Sequence, residues 1–274
     1  MIRVCIAGAT GWTGSALVTA IRRSERFRVS GAVARKTVGQ DLGTALGKEP
    51  FGIMVSTTVE EALRAGSDVF IDYSHPGAVK DNALTALRMG VPVVIGTSGL
   101  TIEDFREIES AALDARLGVI AAGNFSITAA LAKHCALLAA RYLPHREILD
   151  YAQADKPDVP SGTTRELAES LARVRPNELL KPIEGLIGPK EARGVSIEGT
   201  PVHSLRLPGY TLAFETLFGL PDERLTIRHD AGTSADPYVA GTLLAAERVL
   251  GLKGLVRGLD TLLFSPEGEA RKPA

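Results

Sequence analysis

Residues 152–164 read A-Q-A-D-K-P-D-V-P-S-G-T-T. Lys156 stands just before the turn Pro160-Ser161-Gly162-Thr163, which leads into a helical pattern beginning near Thr164. A cation beside a helix start joins a positive charge to unpaired amide donors and to the positive end of the helix dipole. That combination suits a small dicarboxylate, with Lys156 as proton donor or electrostatic stabiliser. Three other titrating groups lie close in sequence, and each has a plainer role. Asp155 or Asp158 can pair with Lys156 or cap the turn, and Tyr151 can pack at a strand end.

A second constellation opens the chain. Gly8-Ala-Thr10-Gly11-Trp12-Thr13-Gly14 follows an expected strand and starts an expected helix. Gly8 permits a tight turn, Gly11 lets backbone approach a pyrophosphate, and Gly14 lets helix and strand pack closely. The bland alternative is a glycine-rich turn with no ligand, but strand, helix and a further strand in sequence favour dinucleotide binding. At the end of that further strand an acid would bind a ribose 2′-hydroxyl. The chain instead places Arg35 and Lys36 there, followed by Thr37. Two cations suit a 2′-phosphate, so the expected cofactor is NADPH, with NADH as the alternative; a solvated basic turn is the plainer account.

Three further loops fall at strand ends, where ligands of open α/β sheets bind. Asp72-Tyr-Ser74-His75-Pro76 offers His75 either as a cofactor contact or as a turn cap. Gly96-Thr97-Ser98-Gly99 lets backbone come close to a nicotinamide, and Ala122-Gly-Asn124-Phe125-Ser126 is a candidate hinge facing the same crevice. The five histidines show no metal-ligand spacing, and no nucleophile elbow or zinc signature is present, so no metal is expected.

These loops need a scaffold. Strands over 2–7, 28–34, 69–73, 91–96 and 118–122 alternate with helical patterns over 13–23, 78–89 and 102–115. Val- and Ile-rich strands separated by helices indicate a doubly wound, Rossmann-type parallel sheet. After a long apolar helix over 127–142 the pattern changes. Strand-like runs over 146–151, 195–199, 202–207, 210–218 and 224–230, with a helix over 164–174, imply a second α+β unit with a mixed or antiparallel sheet. The expected division is 1–126, completed by 238–274, for the dinucleotide-binding domain, and 127–237 for a substrate-binding and oligomerisation domain. The last ten residues read as frayed.

Composition sets the limits. At 274 residues, 45% hydrophobic and 23% charged, the chain has ordinary globular composition. A net charge of −1 gives no field for a nucleic-acid backbone. No apolar run reaches the roughly 20 residues of a membrane span, and no signal peptide precedes the first strand, so the expected location is the cytoplasm. Cys5 and Cys135 read as buried thiols.

These motifs, in this order, resemble the dihydrodipicolinate reductase family (4-hydroxy-tetrahydrodipicolinate reductase). The resemblance rests on Gly8–Gly14, Phe70-Ile-Asp-Tyr-Ser-His-Pro76, Gly96–Gly99, Asn124-Phe-Ser126, Lys156-Pro-Asp-Val-Pro-Ser-Gly-Thr163 and Arg224-Leu-Thr-Ile-Arg-His229. It implies NAD(P)H-dependent reduction in lysine and diaminopimelate synthesis by a homotetramer, with a dimer as the alternative. It implies that Lys156 contacts the substrate and assists proton delivery, and that Ser161, Gly162 and Thr163 bind its carboxylate. The family's His-His pair falls on Ala152 and Gln153, of which Gln153 can still bind substrate by hydrogen bonds but cannot titrate. An arginine of the family pattern falls on Ser234. Three readings follow: a reductase of that family relying on Lys156, a divergent reductase of another imine or unsaturated acid, and a non-catalytic NADPH-binding protein.

Overall fold

The computed structural model describes residues 1–264, which divide into two compact units, 1–127 with 235–264 and 128–234. The expectation of a frayed tail lies outside the described residues.

In the first unit β1 (Ile2–Ala7), α1 (Trp12–Arg22) and β2 (Phe27–Val33) are followed by three short pieces, α2 (Leu42–Ala45), β3 (Val55–Ser56) and α3 (Val59–Leu63). Then come β4 (Val69–Asp72), α4 (Val79–Arg88), β5 (Val93–Ile95), α5 (Ile102–Ala115) and β6 (Gly118–Ala121). The strands form one parallel sheet in the order β12-β6-β5-β4-β1-β2-β3, where β12 (Gly254–Arg257) enters from the chain's end. The order reverses about β1, so the loops after β1 and β4 open where a doubly wound sheet binds ligands. Val4, Ile6, Phe70, Ile71, Val93 and Ile120 are fully enclosed, which explains why these strands read as continuous apolar runs rather than alternating ones. α8 (Asp236–Arg248) and α9 (Leu259–Phe264) belong to the same unit. α5 begins with a reciprocal cap between Thr101 and Asp104, worth about 1 kcal/mol.

In the second unit, α6 (Ile127–Ala140), β7 (His145–Ala152) and α7 (Gly162–Val174) precede β8 (Val195–Ile197), β9 (Thr200–Arg206), β10 (Leu212–Leu220) and β11 (Glu223–Ala231). The sheet order is β11-β10-β7-β9-β8, antiparallel except for the parallel pair β7–β9. Ile148, Val202, Phe214 and Phe218 pack with Ala132 and Ala136 of α6 and with Leu167 and Leu171 of α7. Alternation along the strands then assigns Glu147, Leu149, Tyr151, His203, Leu205, Glu215, Leu217 and Arg228 to the opposite face.

The expectation that Cys135 is buried is corrected: its thiol is exposed, whereas Cys5 is enclosed and burial pushes it up to about 12. α6 is apolar nearly all round, so its sequence gives no clue to the inward face. The core side is the alanine stripe Ala129, Ala132, Ala136 and Ala140. Cys135 lies outside it, as do exposed Leu131 and Leu138.

Candidate active site

The loop after β1 is built by backbone crowding. Gly8 has φ +75°, and a Cβ there would lie 2.1 Å from the Tyr73 carbonyl oxygen. A Cβ on Gly14 would lie 2.1 Å from the carbonyl oxygen of Gly8. Neither obstacle can swing away, because both are main chain. Gly11 donates to Gly8 O at 2.8 Å and caps α1 with no side-chain bond, and the first turn of α1 carries no acid. α5, by contrast, fills its start with Glu103 and Asp104. The positive end of α1 is therefore not offset by any acid in its first turn. Thr10 and Thr13 are half-buried, while Trp12 is exposed with its indole edge-to-face on Tyr238 at 5.7 Å.

After β2, Arg35 and Lys36 are exposed, and the Thr37 hydroxyl beside them is enclosed with no partner in the protein. The segment beyond is organised by Asp41, whose carboxylate accepts from the amides of Gly43, Thr44, Phe51, Gly52 and Ile53. The Phe51 amide leads these donors in holding the acid below its usual range, against a smaller cost of burial.

The loops after β4 and β5 are joined through Asp72, a fully enclosed carboxylate. Its Oδ1 accepts from the Ser74 amide at 2.9 Å, the Ser74 hydroxyl at 2.7 Å and the Thr97 hydroxyl at 2.6 Å; its Oδ2 accepts from Asn82 at 2.8 Å. Ser74 and Thr97 thus turn their hydroxyls to Asp72. His75 Nδ1 accepts from the Gly77 amide at 3.0 Å, which is the turn-capping role. Gly96 is held against Tyr73, and Ser98, two residues on, is exposed. Ala122 is buried and donates to Ile95 O at 3.1 Å. Asn124 Oδ1 accepts from the Ser126 amide at 2.8 Å, an Asx turn, while Phe125 sends its ring inward against Tyr73 at 6.2 Å.

In the second unit Lys156 pairs with Asp158, four residues before α7 begins at Gly162. Burial opposes ionisation of Asp158, yet Lys156 and the nearby amides outweigh it, and the acid is held below its ordinary range. The Lys156 amide donates to Gln153 O at 3.2 Å, and the Gln153 side chain is exposed. Ala152 is fully enclosed.

Ser161 differs from the sequence reading, which left its donors open at the helix start. It is buried, its amide donates to Asp150 Oδ2 at 2.9 Å, and its hydroxyl bonds to Asp150 Oδ1. The same acid accepts from Thr164 Oγ1 at 3.0 Å, Ser204 Oγ at 3.1 Å and Arg206 Nη2 at 2.7 Å. Sequence reasoning missed Asp72, Asp150 and Arg206. A buried acid that ties two loops together leaves no spacing signature, since its partners lie anywhere from 2 to 56 residues distant.

Tyr151 donates to Glu215 at 3.3 Å and packs on Tyr210, with centroids 5.0 Å apart. His229 bonds Thr128 at 3.0 Å and stacks on Phe214, and burial lowers its pKa. His203 pairs with Glu147 at 2.8 Å and His145 with the Glu178 carbonyl at 2.8 Å. Among the described residues no group of three His, Cys, Asp or Glu could hold a metal ion.

Comparison with known proteins decides the family. A model of the dihydrodipicolinate reductase N-terminus matches residues 2–125, and one of the C-terminus of the same enzyme matches residues 125–263. The chain belongs to the dihydrodipicolinate reductase family. A 4-hydroxy-tetrahydrodipicolinate reductase of Moorella thermoacetica is 38% identical over 263 residues, covering 96% of this chain and 98% of that one. One from Synechococcus elongatus is 35% identical over 278 residues, with coverage of 96% and 98%. A dipicolinate-bound dihydrodipicolinate reductase from Paenisporosarcina sp. TG-14 superposes with a TM-score of 0.83 at 33% identity, over 96% of this chain and 100% of that one. An amine dehydrogenase of Mycobacterium smegmatis, 14% identical with a TM-score of 0.63, shares the fold alone. The family is one of nicotinamide-dependent oxidoreductases, and its members act in lysine and diaminopimelate biosynthesis. Among the described residues no helix is long and apolar enough to cross a membrane.

Proposed function

We propose that this chain reduces 4-hydroxy-tetrahydrodipicolinate with NADPH, and that Lys156 is its charged catalytic group. The observation that carries the substrate half is the Asp158 carboxylate, held by the Lys156 ammonium just before the start of α7. A site that grips its own carboxylate with a cation beside a helix start has the chemistry to grip a substrate's. Lys156 then exchanges Asp158 for the ligand, while Gly162 and Thr163 offer amides at the same helix start, Ser161 shapes the turn, and Gln153 supplies a hydrogen bond.

The residues present suit the cofactor. Gly8, Gly11 and Gly14 form a cradle that a Cβ on Gly8 or Gly14 would close, and the unpaired Thr37 hydroxyl lies beside two exposed cations. Gly8, Thr10, Gly11, Trp12, Thr13 and Gly14 would hold the pyrophosphate end, and Arg35 and Lys36 the 2′-phosphate. Backbone of Ser74, His75, Gly96, Thr97, Ser98, Ala122, Asn124 and Phe125 would border the nicotinamide. When bound, NADPH supplies the hydride. Lys156 stabilises the negative charge that develops at the reduced centre and holds the proton to be delivered there.

The enclosed Ala152 and the non-titrating Gln153 favour, as a second reading, a different cyclic imine or unsaturated acid as substrate. The cytoplasmic location is part of the proposal, as is assembly into a homotetramer, with a dimer as the alternative. The sheet face bearing Leu149, Tyr151, Leu205 and Leu217, opposite the helices, supports assembly. Purified protein given NADPH and the product of dihydrodipicolinate synthase, generated in place, should oxidise the nicotinamide. Lys156→Ala should slow it by roughly 10²–10⁴-fold. No oxidation above background, with NADPH binding intact, would exclude that substrate; turnover of an unrelated imine would then identify the second reading. Light scattering of the same sample reads the assembly.

A further inference from the structure

Asp150 and Arg206 face each other across the parallel pair β7–β9, where Asp150 registers with Ser204 and Ala152 with Arg206. Both lie on the helix-covered face of the sheet, as do Ile148 and Val202. Arg206 Nη2 donates to Asp150 Oδ2 at 2.7 Å and to the Asp158 carbonyl at 2.8 Å, while Nη1 donates to the Asp150 and Leu205 carbonyls at 3.3 and 3.0 Å. Asp150 in turn holds Ser161 and Thr164. The segment from Asp158 to Ser161 is thus fastened at both ends to one ion pair. Lys156 lies two residues before the first fastening and Gly162 one residue after the second.

We propose that Asp150 and Arg206 are positioning residues that set Lys156 and the Gly162 amide at the spacing a substrate carboxylate needs. The proposal rests on the carboxylate-binding reading of that turn. Three features support it. Asp150 is 1% and the Arg206 side chain 13% exposed, and a buried ion pair adds little net stability over apolar packing, so its value lies in fixing one geometry. Burial works against ionised Asp150, but the Ser161 hydroxyl and Arg206 prevail and hold it below the usual carboxylate range. And the guanidinium fork reaches two targets at once, strand and loop, which an ammonium does not do with fixed angles. Arg206 Nε, enclosed without a partner, shows that the group is held for these contacts at the expense of its own satisfaction.

The test compares wild type with Arg206→Ala, Arg206→Lys and Asp150→Asn. Hydrogen exchange of the free proteins should show amides of residues 154–161 exchanging at least about tenfold faster in Arg206→Ala, with β7 and β9 still protected. Calorimetry with dipicolinate, a rigid aromatic diacid, should show affinity falling roughly 10- to 100-fold, since misplacement by about 1 Å costs on that order. Affinity for NADPH should stay within twofold. Guanidinium added to Arg206→Ala should restore part of the loss, which a merely structural defect would not allow, and Arg206→Lys should recover less than half of the binding energy. Unchanged exchange of 154–161 in a folded Arg206→Ala protein would overturn the proposal, as would dipicolinate affinity within twofold of wild type. If Arg206→Ala does not fold, Arg206→Lys is judged by the same two criteria. A wild type that binds NADPH but not dipicolinate defeats the carboxylate reading instead, and exchange alone then decides whether the pair fastens the turn.

Discussion

Gly96→Ala tests whether the loops after β4 and β5 are set by packing against Tyr73. A Cβ at residue 96 would lie 2.2 Å from Tyr73 Cε1, 2.3 Å from Cζ and 2.8 Å from the hydroxyl. Carbon contacts settle near 3.5 Å or more, so the ring must retreat by roughly 1.3 Å. It has little room to do so. Its hydroxyl bonds Thr242 Oγ1 at 2.7 Å, its edge meets Phe125, and burial drives its pKa far above the ordinary tyrosine value. Overpacking of this kind costs about 1–3 kcal/mol, and loss of the Thr242 bond adds about 1 kcal/mol. The expected total is about 2–4 kcal/mol, which lowers the midpoint of thermal unfolding by roughly 4–16 °C for a unit of this size. The assay is a double-mutant cycle with Tyr73→Ala, followed by thermal and urea unfolding, with NADPH titration of each variant. Removing the ring makes room for the methyl, so the cost of Gly96→Ala should fall by at least about 1 kcal/mol in the Tyr73→Ala background. A single-variant cost under about 0.5 kcal/mol, or an equal cost in both backgrounds, would refute the reasoning.

Arg35→Ala/Lys36→Ala should weaken NADPH roughly 10- to 100-fold, the worth of a charge-assisted contact, and leave NADH nearly unchanged; equal losses for both cofactors would show that these cations do not read the 2′-phosphate. With Ala152 and Gln153 in place of titrating groups, a plot of log kcat/KM against pH should show no inflection between about pH 5.5 and 7.5, the window of an ordinary histidine. An inflection there would assign proton delivery to a histidine from elsewhere in the chain. Asp150 has a depressed pKa in the folded state, so its stabilisation is complete above the unfolded value of about 3.9 and is lost as pH falls through the folded value. Urea midpoints should therefore show the advantage of wild type over Asp150→Asn shrinking below about pH 4; an advantage that grows with acid would reverse the sign of the argument.

The legible parts of the fold were those with a local rule. The Gly8–Gly14 loop could be placed because glycine spacing and an apolar strand are both contiguous in sequence, and α5 because its helical pattern over 102–115 runs unbroken for fourteen residues. The pieces α2, β3 and α3 escaped because two to five residues carry no period. Their segment is ordered by Asp41 gathering amides from up to twelve residues on. β12 was also missed, and it joins the sheet at the far edge by pairing with β6.

By itself the sequence determined the chemistry on offer: a dinucleotide loop, two cations after β2, one lysine before a helix start, and no titrating group at Ala152 or Gln153. These are matters of residue type at fixed spacing. Tertiary structure decided which groups are spoken for. Ser74 and Thr97 serve Asp72, His75 caps its turn, Ser161 serves Asp150, and Cys135 faces out while an alanine stripe faces in. The reason is that a hydrogen bond or a packing face is settled by what arrives from distant strands, and a carboxylate enclosed without water takes whichever donors surround it. Lys156 shows both sides: the sequence offered Asp155 or Asp158 as its partner, and the fold shows that Asp158 takes that place.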